Sequence, residues 1–327
     1  MRAPGFTVLT TAEVIVAKRV EEIILGIDVA KDTLEVFDWT HERRQVIPNE
    51  AAAIRAWLKG FPGPLALSVE ATSDYHFTLV DEAHALGHTV YLINGLQLKK
   101  YREAVHRGHK SDPDDAWLLA RFLDAERKNL RPFTPPCAKA RRLWQEIKRR
   151  GSVVTKRQDL QQSLKGTNIA HRGLLREFAQ VLLQIEKNIQ QLIQSLGWAE
   201  DYRRCLTIPG VGPANAAALV CAYHRAAFAS ADQFIAFLGL DVRRRTSGRF
   251  KGQQKLTKRG EPELRRLLYC AHKAARSYAP FALYRERLLE KGLSKIAANM
   301  ALGRKLARIA FALISHQQTF TKQATAY

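Results

Sequence analysis

The chain has 327 residues, of which 52 are Lys or Arg and 31 are Asp or Glu, so its formal net charge is +21. So large a basic excess on a chain with 46% hydrophobic residues favours a polyanionic partner, and nucleic acid fits best. The sequence contains no apolar run of 18 residues and no signal-peptide pattern, so we expect no membrane partner. The four cysteines are isolated, which predicts a reducing, cytoplasmic location without disulfides or a zinc site.

Residues 22–133 alternate strand and helix patterns, and we predict an α/β catalytic domain there, preceded by an N-terminal extension over residues 1–21. The first three strands have short links, as in a meander, whereas the later strands alternate with helices and should pair in parallel. This mixed order is the ribonuclease-H pattern. The predicted strands are Glu22–Ala30, Thr33–Trp39, Arg43–Ile47, Leu65–Glu70 and Thr89–Ile93, and the predicted helices are Asn49–Lys59, Asp74–Leu86 and Pro113–Glu126.

Four carboxylates occupy positions typical of a two-metal site in such a fold. Asp28 and Glu70 each close an apolar strand, and Asp112 and Asp115 open a helix three residues apart, on one face. Clustered carboxylates repel one another unless cations neutralise them, and two Mg²⁺ ions would also hold the attacking and leaving oxygens of a phosphodiester. Taken singly, an acid at such a position is usually a turn or N-cap residue. Asp112 in particular could cap a helix that begins at Pro113.

The middle of the chain is predicted to be helical. Arg131–Pro136 has the composition of a stiff linker, and residues 134–200 that of a coiled-coil segment of two long helices broken near residues 166–173. The second helix has an apolar stripe at three- and four-residue steps, which fits either a dimer seam or a hairpin packed on its own domain. The stripe consists of Leu175, Phe178, Leu182, Ile185, Ile189, Leu192 and Leu196.

Residues 201–327 are predicted to form a small helical domain that begins with a helix-hairpin-helix signature, Ile208-Pro209-Gly210-Val211-Gly212. In such a turn, backbone N–H groups at the start of the next helix, here Ala214–Ala222, bind a phosphate without reading base sequence. The same turn also occurs in plain helix packing. We predict Gly210 and Gly212 as backbone contacts to nucleic acid.

The densest basic stretch follows, with ten Lys or Arg and two acids between residues 243 and 266. A charged run is usually a solvated face, but glycines and hydroxyl residues interrupt this one, which suits a loop that closes over phosphates. Ser247 lies in this loop, ahead of a predicted helix Pro262–Tyr278, and most such serines only make turns. The candidate nucleic-acid contacts are Arg243, Arg244, Arg245, Arg249, Lys251, Lys255, Lys258, Arg259, Arg265 and Arg266.

Five motifs, in this order, closely resemble the DEDD-type insertion-sequence transposases, which are bridge-RNA-guided recombinases related to the Piv-type DNA invertases. The resemblance extends from about residue 22 to 315, with a longer leading segment and an additional acid, Asp114, as departures. It implies a RuvC-like N-terminal domain, a coiled-coil middle and a helical C-terminal transposase domain that supplies a serine. The motifs are Gly26-Ile27-Asp28-Val29-Ala30-Lys31, Val69-Glu70-Ala71-Thr72, Lys110-Ser111-Asp112-Pro113-Asp114-Asp115-Ala116, Ile208-Pro209-Gly210-Val211-Gly212 and Ser247-Gly248.

The resemblance implies that Asp28, Glu70, Asp112 and Asp115 bind Mg²⁺ and that Ser247 is the nucleophile. A serine that stays attached to phosphorus would conserve the bond energy until a 3′-hydroxyl of another strand displaces it. Because the serine and the acids lie in different segments, the site would be composite, within one chain or between the subunits of a dimer or tetramer. An element-encoded guide RNA would pair with donor and target DNA, while the protein holds the backbones.

Two other functions stay open on the sequence. A metal-dependent nuclease like a Holliday-junction resolvase would use the acids alone and would nick DNA without a covalent intermediate. A non-catalytic nucleic-acid-binding protein would rely on charge and the hairpin turn, and Asp28→Ala would leave all its activity intact. Against the second, four acids placed where phosphates dock would repel the ligand.

Overall fold

The computed structural model describes residues 22–70, 74–105, 112–243, 246–247, 250–251, 255–258 and 260–321. These residues form two compact units, one that ends at Pro135 and one that begins at Pro136. The division falls within the predicted stiff linker Arg131–Pro136. Among the described helices, none has both the length and the apolar character needed to cross a bilayer.

The first unit contains a five-stranded mixed sheet. Its strands, in the order β3-β2-β1-β4-β5, are β1 (Ile23–Val29), β2 (Thr33–Asp38), β3 (Arg43–Pro48), β4 (Leu65–Glu70) and β5 (Thr89–Ile93). β2 pairs antiparallel with both β1 and β3, whereas β4 pairs parallel with both β1 and β5. The predicted meander followed by parallel strands is therefore confirmed, and each predicted strand boundary lies within one residue of the observed one.

Helices cover both faces of this sheet. The side chains at the odd positions of β1 are buried on the side of α1 (Ala51–Lys59) and α2 (His76–Ala85). The even positions face the other side, where α3 (Gly95–Val105) and α4 (Asp112–Glu126) pack. This division follows from the two-residue period of a strand. Helix α3 was not among the predicted elements, and α4 begins at Asp112, one residue earlier than predicted.

The second unit is helical with one core, to which helices on both sides of residue 200 contribute. The described residues between α9 and α10 include four strands of two residues each. The helices are α5 (Ala138–Ser163), α6 (Arg172–Ser195), α7 (Ala199–Leu206), α8 (Pro213–Tyr223), α9 (Ala231–Phe237), α10 (Pro262–Ala275), α11 (Ala279–Glu290) and α12 (Lys295–Ser315). The short strands are β6 (Val242–Arg243), β7 (Thr246–Ser247), β8 (Phe250–Lys251) and β9 (Lys255–Leu256).

The apolar stripe of α6 is used inside the chain. Leu182, Ile185 and Ile189 are buried in the core of the second unit, and α6 packs along α5 as a helical hairpin. The hairpin alternative for these residues is therefore what the structure shows. Other apolar side chains of the same helix remain outside, since Leu174 is 50% exposed and Val181 is 48% exposed.

Candidate active site and nucleic-acid interface

Two acids lie side by side at one edge of the sheet. β1 and β4 run parallel with Ile27 opposite Val69, so the next residues, Asp28 and Glu70, occupy neighbouring positions on the same face. That face carries α3 and α4, because Gly26, two residues before Asp28, lies directly under α4. Both acids are half-buried.

Gly26 sets how closely α4 approaches the sheet. A Cβ atom at this position would lie 2.0 Å from the carbonyl oxygen of Ala116 and 2.3 Å from the nitrogen of Ala120. Only a residue without a side chain allows such contact between the backbones of a strand and a helix. The close approach holds the helix that carries Asp115 against the strand that carries Asp28.

The packing of α4 also fixes its direction. Ile24 packs with the cluster that includes Leu119 and Leu123, whereas Gly26 meets the preceding turn around Ala116. The N-terminal turn of α4 therefore extends toward the end of β1 that carries Asp28. Asp112 and Asp115 lie in that turn; the side chain of Asp112 is outside the described part of the chain.

Helix α3 forms a wall of this acidic edge. Leu98 and Tyr101 pack against α4, and the Tyr101 and Phe122 rings are 4.9 Å apart, edge to face. The first residue of α3, Gly95, lies against the carboxylate of Glu70, since a Cβ there would be 2.3 Å from Glu70 Oε1. Two turns later, the guanidinium of Arg102 donates a hydrogen bond to Asp115 and forms an ion pair with it.

The acids suit a hard divalent cation, which prefers carboxylate oxygens. Asp28 and Glu70 converge from two strand ends, and Asp115 comes from the adjoining helix turn. Within the described residues, no three His, Cys, Asp or Glu side chains form a group that could hold a metal ion. The carboxylate chemistry of the donors fits Mg²⁺, whereas in this arrangement Asp115 is paired with Arg102.

The predicted serine lies on a narrow antiparallel arm of the second unit. Val242 pairs with Leu256 and Arg243 with Lys255 at its base, and Thr246 pairs with Lys251 and Ser247 with Phe250 further out. The sequence predicts a loop here and shows no strand period, because strands of two residues are too short to produce one. The side chain of Ser247 is outside the described part of the chain.

The base of the arm is closed by a clasp between the residues on its two sides. Thr257 Oγ1 donates a hydrogen bond to the Asp241 carboxylate, and the Thr257 amide donates to the Asp241 carbonyl at 3.0 Å. The Lys258 amide donates to the Gly239 carbonyl at 3.2 Å. The clasp fixes where the arm leaves the helical core.

The predicted hairpin turn joins α7 to α8. Gly210 has a left-handed φ of +87°, and a Cβ there would lie 2.5 Å from Ala275 on α10, so its role includes helix packing. Gly212 is the N-cap residue of α8, and a Cβ atom at this position would have no heavy atom within 4 Å. Beside it lies a cavity of about 350 Å³ with a mainly apolar lining that also contains three basic residues, Arg150, Arg266 and Lys273.

The Lys and Arg residues predicted to contact nucleic acid differ in their hydrogen-bond partners and in their exposure. Arg266 forms a two-pronged ion pair with Glu263 at 2.7 and 2.6 Å, which raises the pKa of its guanidinium. Arg265 donates to the Gly260 carbonyl, and burial lowers its pKa. Lys258 is exposed. Arg244, Arg245, Arg249 and Arg259 lie outside the described residues, as do the side chains of Arg243, Lys251 and Lys255.

Arg102 and its helix are the parts of the acidic site that sequence reasoning missed. A local signal existed: Asn94 Oδ1 accepts a hydrogen bond from the Leu96 amide at 2.9 Å, as a capping residue does. Leu98 and Tyr101 then follow at helical spacing. The pairing of Arg102 with Asp115 had no such signal, because the two residues come from different helices.

Two family models match the chain. The IS110-type DEDD transposase model matches residues 25–167, and the model of the IS116/IS110/IS902 transposase family matches residues 202–285. A pilin gene-inverting protein of Moraxella lacunata is 27% identical over 91% of this chain and 98% of its own length. A protein of Pseudomonas aeruginosa described as a "probable family 20 transposase" is 29% identical over 90% of this chain and 98% of its own length.

These matches define the class of protein as a DNA transposase or recombinase. The first model covers the unit with the acidic sheet edge, and the second covers the hairpin turn and the serine arm. Together they span more than half of the residues. The chain belongs to the IS110 family of DEDD transposases.

Proposed function

We propose that this transposase cleaves and rejoins DNA through a covalent phosphoserine formed on Ser247, and that Asp28, Glu70, Asp112 and Asp115 hold Mg²⁺, as two ions. The observation that carries the proposal is the meeting of Asp28 and Glu70 at parallel strand ends, with the start of α4 held against them through Gly26. The strand order β3-β2-β1-β4-β5 supports a RuvC-like fold for this unit. Bound Mg²⁺ would neutralise the acids and stabilise the charge that develops on the phosphodiester oxygens.

The chemistry assigned to the serine is a transesterification. The Oγ atom of Ser247 forms a bond to phosphorus, the bond between phosphorus and the 3′-oxygen breaks, and the hydroxyl proton ends on that leaving oxygen. The DNA 5′-phosphate is then esterified to the protein, and a 3′-hydroxyl of another strand reverses the step. Because one phosphoester replaces another, rejoining needs no ATP.

The second unit contributes phosphate contacts in this proposal. The turn at Gly210 and Gly212 acts as a helix-hairpin-helix motif, in which the start of α8 binds the DNA backbone. The open space at Gly212 and the basic side chains of Arg150 and Lys273 in the adjoining cavity support this role. The basic residues of the arm and its flanks, from Arg243 to Arg266, would hold further phosphates.

Guide RNA and oligomeric assembly belong to the same proposal. The RNA rests on the family resemblance, and the net charge of +21 is in keeping with a polyanion beyond the DNA itself. A seam between subunits would use the exposed side chains Leu174 and Val181. Replacing both with Glu should lower the mass measured in solution. Leu182→Glu is unsuitable for this purpose, because Leu182 is buried within its own chain.

A denaturing gel tests the chemistry. Labelled element-end DNA is incubated with the protein, Mg²⁺ and RNA from the non-coding flank of the element, with Ser247→Ala and Asp28→Asn in parallel. We expect a DNA band shifted by attached protein in the wild type and in neither variant. Nicked DNA without an adduct, lost in Asp28→Asn but kept in Ser247→Ala, would make the chain a resolvase-like nuclease.

A mixing experiment tests whether the acids and the serine come from different subunits. Ser247→Ala and Asp28→Asn proteins are combined after each has been found inactive alone. Recovery of the adduct in the mixture would mean that one subunit supplies the acids and another the serine. A mixture that stays inactive would assign both parts to one chain.

A further inference from the structure

The acidic edge of the first unit contains a cation that belongs to the protein itself. Arg102 of α3 pairs with Asp115 of α4, and the two side chains are only 22% and 13% exposed. An ion pair so sheltered from water is stronger than a surface pair, because solvent screens it less. Asp115 is one of the four acids assigned to metal binding, so its partner bears directly on that site.

The position of Arg102 is set by the fold. Leu98 and Tyr101 fasten α3 to α4 through buried contacts, so the helix cannot roll away without disrupting that core. Gly95 and Arg102 are seven residues apart, which places them on the same face of α3. One end of that face lies against Glu70 and the other against Asp115. Helix α3 therefore contacts two of the four acids from one side.

A carboxylate that accepts a hydrogen bond from a guanidinium has fewer lone pairs left for a metal ion. Arg102 supplies one positive charge at Asp115, where a divalent cation would supply two. The two cations would compete for the same carboxylate, since each neutralises it and each needs its oxygen atoms. The described side chains contain no group of three potential ligands, which agrees with Asp115 being turned toward Arg102.

We propose that Arg102 is a built-in counter-ion of the acidic site that competes with the divalent metal for Asp115. It neutralises Asp115 when no metal is bound and sets a threshold for metal loading, which occurs when Asp115 exchanges Arg102 for the ion. The inference rests on the proposed metal-binding role of the acids. It assigns Arg102 a positioning role, separate from phosphate binding.

The test measures metal binding by the full chain without nucleic acid. Mn²⁺ is titrated by calorimetry into the wild type, Arg102→Gln, Arg102→Lys and Arg121→Gln. Arg121 is the matched control: it lies on α4, about 9 Å along the axis from Asp115, with its guanidinium over the Trp117 ring. Its replacement changes the net charge equally and leaves the ion pair between Arg102 and Asp115 in place.

We expect Arg102→Gln to lower the dissociation constant for Mn²⁺ on the order of tenfold, because a charged hydrogen bond no longer has to be broken. Arg121→Gln should change it by less than about twofold, and Arg102→Lys should stay near the wild type, because the charge is kept. Arg102→Gln should also melt at a lower temperature than wild type without metal and gain more from added Mn²⁺.

The inference is wrong if Arg102→Gln binds Mn²⁺ no more tightly than Arg121→Gln does. Weaker binding in Arg102→Gln would also overturn it and would mean that Arg102 orders the ligands for the metal. Asp28→Asn separates this failure from that of the proposed function. If Asp28→Asn binds Mn²⁺ as tightly as the wild type does, the acids are not the metal site. If Asp28→Asn binds Mn²⁺ more weakly while Arg102→Gln and Arg121→Gln bind it equally, the acids are the metal site, and only the competition between Arg102 and the metal is disproved. If Arg102→Gln does not fold, the Arg102→Lys variant provides the test. A dissociation constant for Mn²⁺ about tenfold higher or lower than that of the wild type would then contradict the inference.

Discussion

The two regions that carry the proposed chemistry are held by the chain in different ways. Asp28 and Glu70 extend from inner strands of a five-stranded sheet, and α4 is fixed against them by backbone contact at Gly26. Ser247 lies on an arm whose strands are two residues long and whose base is closed at Asp241 and Thr257. The acids thus share a densely packed core, whereas the arm depends on a few pairs of backbone hydrogen bonds.

This difference corresponds to two chemical demands. Carboxylates that share a metal ion must keep fixed separations, and a buried sheet with a close-packed helix provides them. A nucleophile that attacks and later releases a DNA strand has to be presented from a support that can be positioned separately. The contrast predicts that damage to the sheet unit destroys stability and metal binding together, and that damage to the arm affects the serine step alone.

The largest effect should come from Gly26→Ala. The new Cβ would overlap backbone atoms of Ala116 and Ala120, and neither can move without shifting α4. We expect a loss of about 3 kcal/mol in the free energy of unfolding of the first unit. Urea denaturation followed by circular dichroism measures it. Gly173→Ala is the control, since a Cβ there meets no atom within 4 Å; equal stability of the two variants would contradict the close contact.

Gly95→Ala should separate the site from the fold. Its Cβ would displace Glu70 Oε1, the far end of a flexible side chain, so stability should change by less than about 0.5 kcal/mol. The displaced carboxylate should weaken Mn²⁺ binding, by about fivefold to tenfold in a calorimetric titration. Unchanged affinity in a folded Gly95→Ala protein would mean that Glu70 does not contribute to the metal site.

Thr257→Val should weaken the clasp of the serine arm. It removes the hydroxyl that donates to Asp241, at a cost of about 1 kcal/mol in stability. We expect the rate of DNA adduct formation to fall about fivefold or more, while Mn²⁺ affinity stays at the wild-type value. Thr257→Ser, which keeps the hydroxyl, should restore the rate. A Thr257→Ser protein as slow as Thr257→Val would argue against the clasp.

The salt dependence of DNA binding should identify the charges of the arm. Replacing Arg243, Arg244 and Arg245 with Gln should lower the slope of log Kd against log salt concentration by about 0.9 for each phosphate of duplex DNA that the variant no longer neutralises. A control with the same charge change uses the exposed residues of α6. These are Arg172, Arg176 and Lys187. If the two triple variants show the same slope of log Kd against log salt concentration, the phosphate contacts lie on another surface.

The smallest effect should be a pH dependence in the sheet unit. Burial lowers the pKa of His88, whose Nδ1 accepts a hydrogen bond from the Leu65 amide at 3.3 Å. As the pH falls, His88 is therefore protonated in the unfolded chain before it is protonated in the folded one. The contribution of neutral His88 to the free energy of unfolding is complete above about pH 6.5 and is lost as the pH falls toward the pKa of His88 in the folded state. Urea midpoints at pH 7.5 and 5.5 should differ less in His88→Gln than in the wild type. An identical difference would exclude His88 as the cause.

The part of the fold that the sequence predicted correctly depends on local pattern. In β1 the apolar run from Ile23 to Ile27, closed by Asp28, indicates a buried strand, and the observed strand boundaries lie within one residue of the predicted ones. The placement of Asp28 and Glu70 at strand ends follows in the same way, because parallel strands bring their carboxyl ends to one edge. These are properties of short segments and their periods.

The rest was decided by contacts between distant residues. Helix α3 has few apolar positions, and its pairing of Arg102 with Asp115 exists only because Tyr101 and Phe122 bring two helices together. The sequence of the α6 stripe fits a dimer seam and a hairpin face equally well, and only the burial of Leu182 in the second unit distinguishes them. The strands of the serine arm are too short for any period to reveal them. Sequence thus determined which segments are strands and which acids end them, whereas tertiary packing decided what each acid contacts, because a side chain's partner depends on chain segments that no local pattern specifies.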